Sequence, residues 1–111
     1  MKPTNNLYYP SAFTQDKYRG DIYITSWKKI YKFVYATKTL VYLIGSNFYE
    51  HRDGPFSVAS FKRPRGILFI ENGKKLLVAG DYDFRLRILD VRICNVSSIV
   101  SGYVGHRDGY L

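Results

Sequence analysis

Cysteine is nearly missing from this chain of 111 residues; Cys94 stands alone. A single cysteine excludes an intrachain disulfide framework and a cysteine-rich zinc site. Acids are scarce as well, with 9 Asp and Glu against 17 Lys and Arg. The resulting net charge of +8 attracts nucleic acid, anionic membrane or acidic protein without choosing among them. The most apolar run, Leu40-Val41-Tyr42-Leu43-Ile44, is far too short to span a bilayer. The opening MKPTNNLYYPS has no signal-peptide core, so with Met1 as the true start a soluble, reduced, cytoplasmic setting without membrane association is the default expectation. No stretch rich in Ala, Leu, Glu and Lys favours helix. Also missing are an HExxH helix, a glycine-rich phosphate loop, a Ser/His/Asp set of known spacing and paired carboxylates in a recognisable frame, so no catalytic residue is assigned.

What the chain does have is aromatic side chains, 11 Tyr and 7 Phe, which together with β-branched residues favour strands. It also has a repeat. The tetrapeptide His-Arg-Asp-Gly occurs at 51–54 and again at 106–109. Around these anchors Pro10 aligns with Pro64, and Asp21-Ile22-Tyr23-Ile24-Thr25 with Lys75-Leu76-Leu77-Val78-Ala79. Lys29-Ile30-Tyr31-Lys32-Phe33 then lies over Arg85-Leu86-Arg87-Ile88-Leu89, and Gly45 over Gly102. Ordered matches with small length changes only between them define an internal repeat of about 55 residues.

Each unit reads as four short strands. In the second they fall at 66–70, 76–79, 84–90 and 96–101, with Asn72-Gly73 supplying the positive φ angles of a tight hairpin turn. The third alternates, with Phe84, Leu86 and Ile88 on one side and Arg85 and Arg87 on the other. The first unit follows the same plan at 12–13, 22–25, 29–35 and 40–44. Two tandem four-stranded antiparallel units describe an all-β fold of β-propeller blades. Pro64 sets φ just before an inner strand, where its missing N–H costs least. Gly66 is expected to let strands near the axis approach closely, and Ala59 and Phe61 to fill the seam between blades.

The stretch DGPFSVASFKRPRGI…GKKLLVAGDYDFRLRILDV…VSSIVSGYVGHRDG resembles an NHL repeat. The matching positions are Asp53, Gly54, Ala59, Phe61, Pro64, Gly66, Ile67, Leu77, Val78, Ala79, Arg85, Leu86, Arg87 and Gly102. They cover nearly all of the second unit and, more weakly, residues 7–54. The chain departs from the family pattern at Gly80, where an Asp usually stands, and at Asp83, where an Asn does. Its first unit carries only Ser26-Trp27-Lys28 across that loop, two residues shorter and without an acid. The resemblance implies part of a six-bladed NHL-type propeller, with blade 1 over 1–54, blade 2 over 55–109 and the start of a further unit at 110–111.

Function follows less directly. The resemblance implies a non-catalytic scaffold that presents loops to a protein partner. A second implication is part of a lactonase-like hydrolase, with Asp81 and Asp83 as its nearest metal-site candidates; no cofactor is assigned, and calcium or zinc enters only there. A third is RNA binding through basic loops. In a blade, the turn between strands two and three shares a face with the connection from strand four to the next strand one. That face gathers the candidate contact residues Trp27, His51, Arg52, Lys62 and Arg63, with Arg65 beside them, but it also holds Glu50, Asp53, Asp81, Asp83 and Asp108 and is not a pure basic plate. Lys62, Arg63 and Arg65 are the phosphate-contact candidates. Trp27 is either a stacking platform or a seam aromatic. His51 and His106 are read as loop residues carried by the repeat rather than as a metal or acid-base pair, and Cys94 as an inert residue beside a turn. Two blades leave apolar flanks bare. A longer chain, a homotrimer completing a six-bladed ring, or docking on another propeller would each cover them.

Overall fold

A computed structural model describes residues 2–4, 7, 9–45, 52–61, 63–70, 74–80 and 85–101. Among these residues are ten strands, β1 (Lys2–Pro3), β2 (Pro10–Gln15), β3 (Ile22–Ser26), β4 (Lys29–Val34), β5 (Thr39–Ile44), β6 (Gly54–Pro55), β7 (Pro64–Ile70), β8 (Lys75–Gly80), β9 (Arg85–Asp90) and β10 (Asn95–Ser101). They form two antiparallel sheets, ordered β1-β5-β4-β3-β2 and β6-β10-β9-β8-β7. The four long strands of each sheet are the four expected from the alternating sequence, in the expected order, and the fold is all-β with two tandem blades. No helix among the described residues is long and apolar enough to cross a membrane.

Local chemistry explains the repetition. β2 and β7, the inner edge strands, each begin on a proline, where no ladder N–H is required. Each also carries a bulge just after it, between Pro10 and Ala12 and between Pro64 and Gly66. Gly66 therefore sits at a bulge, and a Cβ there would meet Ala79 Cβ at an ordinary 3.8 Å, so close strand approach is not what Gly66 serves. The β4–β5 and β9–β10 turns end on Lys38 (φ 55°) and Cys94 (φ 54°), left-handed residues at the same place in the two units. Each turn is held by an aspartate: Asp21 Oδ1 accepts from Tyr35 N at 2.8 Å, and Asp90 Oδ1 from Arg92 N at 3.0 Å. Gly45 is obligatory, because its φ is 123° and a Cβ would lie 2.5 Å from Lys28 O. The Asn72-Gly73 turn lies outside the described residues.

Each outer edge carries an addition that alternation could not reveal. The segment leading into a sheet forms a two-residue strand along that sheet's own outermost strand: Lys2 and Pro3 on Tyr42 and Val41, Gly54 and Pro55 on Val96 and Asn95. Asp53-Gly54, assigned by the repeat to the end of blade 1, is stitched to the blade that follows it.

The sheets meet where β2 and β3 lie against β7. Tyr23 and Phe69 pack edge to face with centroids 4.9 Å apart. Polar groups in the seam are paired: Thr14 Oγ1 accepts from Phe69 N (3.3 Å), and the fully buried Thr25 hydroxyl lies within reach of Ala12 O (3.3 Å) and Arg65 O (3.4 Å). One apolar cluster spans both sheets, joining Tyr23, Ile30 and Ile44 to Leu76, Val78, Leu89 and Val96. Ala59 and Phe61 belong to it, as expected of seam fillers.

Candidate functional site

Two bulky aromatic residues occupy backbone conformations that favour glycine. Tyr9 has φ 48° and Trp27 φ 49°. Such residues with positive φ are outliers, since the side chain crowds the backbone. Trp27 opens the two-residue turn between β3 and β4, pinned by the Ser26–Lys29 pair. Tyr9 precedes Pro10, whose ring normally pushes its neighbour toward an extended conformation. Neither ring returns that cost by burial, for Tyr9 is 74% exposed and Trp27 50%.

The rings meet edge to face, 5.6 Å apart at 86°. With Ser11 and Arg63 they line a cleft of about 360 Å³. Lys28 Nζ lies 5.8 Å from the Trp27 ring centroid. The β3–β4 turn, the entry into β2 and the entry into β7 thus converge on one face, as expected for the loops that lead into inner strands and join strands two and three. Among the described residues that line the cleft, none is acidic.

Trp27 and Arg63, far apart in sequence, are brought together here. Trp27 is half exposed and lines the cleft. Arg65 is exposed on β7 and is not among the cleft-lining residues. Arg52 belongs to a different structure, described next. His51 and Lys62 lie outside the described residues, as do Asp81, Asp83, His106 and the second His-Arg-Asp-Gly. Tyr9 was missed by sequence reasoning. Its signal is weak, an aromatic pair ahead of a proline.

Arg52 and Asp53 form a clip around Arg87. Arg52 and Ser60 bridge through N–H···O bonds of 3.1 and 3.0 Å, closing the connection into a loop. Arg87 reaches into it from β9. Its Nη1 donates to Ser60 O (2.7 Å), Nη2 to Arg52 O (2.7 Å) and Asp53 Oδ1 (2.9 Å), and Nε to Asp53 Oδ1 (3.2 Å). The guanidinium carbon lies 4.5 Å from the Phe61 ring centroid. Asp53 also accepts from Ser98 N (2.9 Å) and Ser98 Oγ (3.1 Å) on β10. Desolvation pushes the Asp53 carboxyl upward, but the hydrogen bonds from Arg87 and Ser98 and the Arg87 charge outweigh it and hold it below the usual carboxylate range. Arg87 is only 2% exposed, so this position on the polar side of the β9 alternation does not face solvent. A buried guanidinium is tolerated because every edge of its fork finds an acceptor. The clip is structural: it fastens the inter-blade connection to the second sheet.

Among the described residues no group of three or more His, Cys, Asp or Glu is placed to hold a metal ion. No protein-family description matches the chain, and no curated protein does. Among solved structures the chain is similar to a structural genomics protein of unknown function from Bacteroides thetaiotaomicron VPI-5482, at 21% identity and a TM-score of 0.73. The alignment covers 84% of this chain and 24% of that one, so the chain spans about a quarter of its neighbour's length. At that identity the likeness establishes the all-β fold alone.

Proposed function

We propose that this chain is a non-catalytic recognition module, part of an NHL-type propeller, that holds a protein partner on the face carrying Tyr9, Trp27 and Arg63. The observation that carries this is the pair of exposed aromatic rings, each kept at positive φ on the rim of one cleft. Strain of this kind costs roughly 1–3 kcal/mol per residue and persists where function uses it. Exposed Tyr, Trp and Arg in one depression are also the residue types that dominate the energetics of protein interfaces.

Panning a displayed random-peptide library on the purified chain tests the proposal. Peptides enriched on the native chain are expected to lose binding to Trp27→Ala and Arg63→Ala. A library that enriches nothing on the native chain over the Trp27→Ala variant would refute it. Two alternatives have their own signatures. An RNA-binding module would take oligoribonucleotides at this same face with a steep salt dependence. A lactonase-like hydrolase would be stabilised by calcium in a thermal-shift measurement and would lose that gain on Asp81→Asn with Asp83→Asn.

A further inference from the structure

We infer that copies of this chain join head to tail into a closed ring, the far face of the second sheet in one copy seating on the far face of the first sheet in the next. This goes beyond the recognition function and does not depend on it. One junction of the same kind already exists inside the chain. There the face of the first sheet carrying Thr14, Tyr23 and Thr25 lies on the face of the second carrying Ile67, Phe69, Leu76 and Val78. Each sheet has another face turned away from this seam, and the strand registers show that each far face repeats one half of it.

The far face of the first sheet holds Phe13, Ile22, Ile24 and Phe33, at the pairing positions of Ile67, Leu76, Val78 and Leu89 on the seam face of the second. All of these positions are apolar in both sheets. The far face of the second sheet holds Leu68, Leu77, Ala79 and Ile88, where the first sheet turns Thr14, Tyr23, Thr25 and Lys32 to its seam side. The face turned outward is therefore more apolar than its counterpart within the chain. An antiparallel sheet with one face in water alternates apolar and polar residues, whereas strands covered on both faces read as continuous apolar runs. Here β3 opens Ile22-Tyr23-Ile24 and β8 contains Leu76-Leu77-Val78-Ala79. Among the described residues, the cluster that joins the sheets takes in Leu76, Val78 and Leu89 but not Ile22, Ile24, Phe33, Leu77 or Ile88. Phe13 is 70% exposed and Leu68 56%. Apolar surface gathered in this way marks an interaction site.

The seam also identifies the occupant. Each copy carries both halves of a junction that it makes internally, so a second copy offers either far face its complement. Heterologous contacts of this kind close into rings when the rotation they repeat closes. Four-stranded sheets stacked about one axis close at about four to eight blades, which takes about two to four copies of this chain.

Size-exclusion chromatography of the full chain with light scattering tests the inference. One species of about two to four copies is expected. Salt should strengthen it, since the faces are apolar and added ions screen the +8 that each copy carries. Phe13→Asp breaks one half of the junction and Leu68→Asp the other, so each variant alone should run as a monomer. An equimolar mixture should recover a dimer of the two, because the intact second sheet of the Phe13 variant seats on the intact first sheet of the Leu68 variant. Both side chains are exposed within a copy, so circular dichroism should be unchanged; Phe13→Ser and Leu68→Ser replace any variant whose spectrum differs. A monomeric native chain, a mass that climbs with concentration without limit, or dissociation on adding salt would overturn the inference. So would a single variant that keeps the native mass, the mark of a like-with-like contact, or a mixture that stays monomeric. Peptide recognition at Trp27 is read separately, and its failure would leave these outcomes standing.

Discussion

The two sheets share strand order, hairpin plan and bulged inner strands, yet they close their outer edges by opposite chemistry. In the second sheet Arg87 stands opposite Ser98, and the pair is sealed by Asp53 from the connection. In the first, Tyr31 stands opposite Tyr42 at the corresponding register, with ring centroids 6.0 Å apart. The short outer strand there, Lys2–Pro3, brings no acid to meet an arginine. One backbone plan therefore accepts either a buried arginine held by a half-exposed aspartate or an aromatic pair. The loop face divides in the complementary way. The first sheet has a two-residue turn at 27–28 and carries the strained cleft aromatics, whereas residues 81–84 separate the matching strands of the second. The sheet with the clip supplies anchorage, and the sheet without it supplies most of the cleft.

The largest effect expected from breaking this contrast is at Arg87. Arg87→Ala leaves two carbonyls and the Asp53 carboxylate without their shared donor and opens a void beside Phe61. A loss of roughly 2–4 kcal/mol is expected from the orphaned carbonyls and the void, read as a lower urea midpoint at unchanged m-value. Transplanting the first sheet's solution, Arg87→Tyr with Ser98→Tyr, should recover about 1 kcal/mol of that loss through the aromatic pair. If the double variant is no more stable than Arg87→Ala, the two closures are not interchangeable.

Acid sharpens the comparison next. Asp53 titrates lower in the folded chain than its ordinary value of 3.8. The unfolded chain therefore binds the proton first, and stability falls as pH drops from about 4 through the lower folded value. The contribution of Asp53 is fully present above that window. Asp90 is also held low, by its hydrogen bonds from Arg92, so Asp53→Asn should remove part of the acid sensitivity rather than all of it. Hydrogen exchange should show the amides of β10 losing protection in acid before those of β5. Equal loss in both sheets would mean that the clip does not set their difference.

The smallest effect, in stability, is expected at Trp27. Trp27→Gly removes an exposed ring from a conformation that glycine adopts freely, so stability should hold or rise by up to about 1 kcal/mol, read from the urea midpoint. Peptide binding should vanish in the same variant. A marked loss of stability would instead identify Trp27 as a structural residue.

Most of the fold was legible because its signals are local. Period-two alternation, prolines at strand starts and a repeat of about 55 residues locate both blades without knowledge of any contact. Ala59 and Phe61 could be assigned to the seam because the repeat places them just ahead of an inner strand. The site was less legible. Trp27 and Arg63 were separate candidates on one face, and only the packing of β2 and β3 on β7 sets them around a common cleft. Tyr9 carried no recognisable pattern, because a left-handed φ at a tyrosine leaves no mark in the sequence. Arg87 gave the opposite problem: its alternation was correctly read, but which side of a strand faces water is decided by what crosses it.

By itself, then, the amino-acid order determined the strands, their pairing into two like units and the excess of positive charge, since each depends on neighbours in the chain or on composition. Only the tertiary structure decided that an arginine would be buried against an aspartate 34 residues away and that two strained aromatic rings would meet at a right angle. Both depend on the path of a connecting segment across a sheet, which is fixed by long-range packing and hydrogen-bond satisfaction rather than by local periodicity.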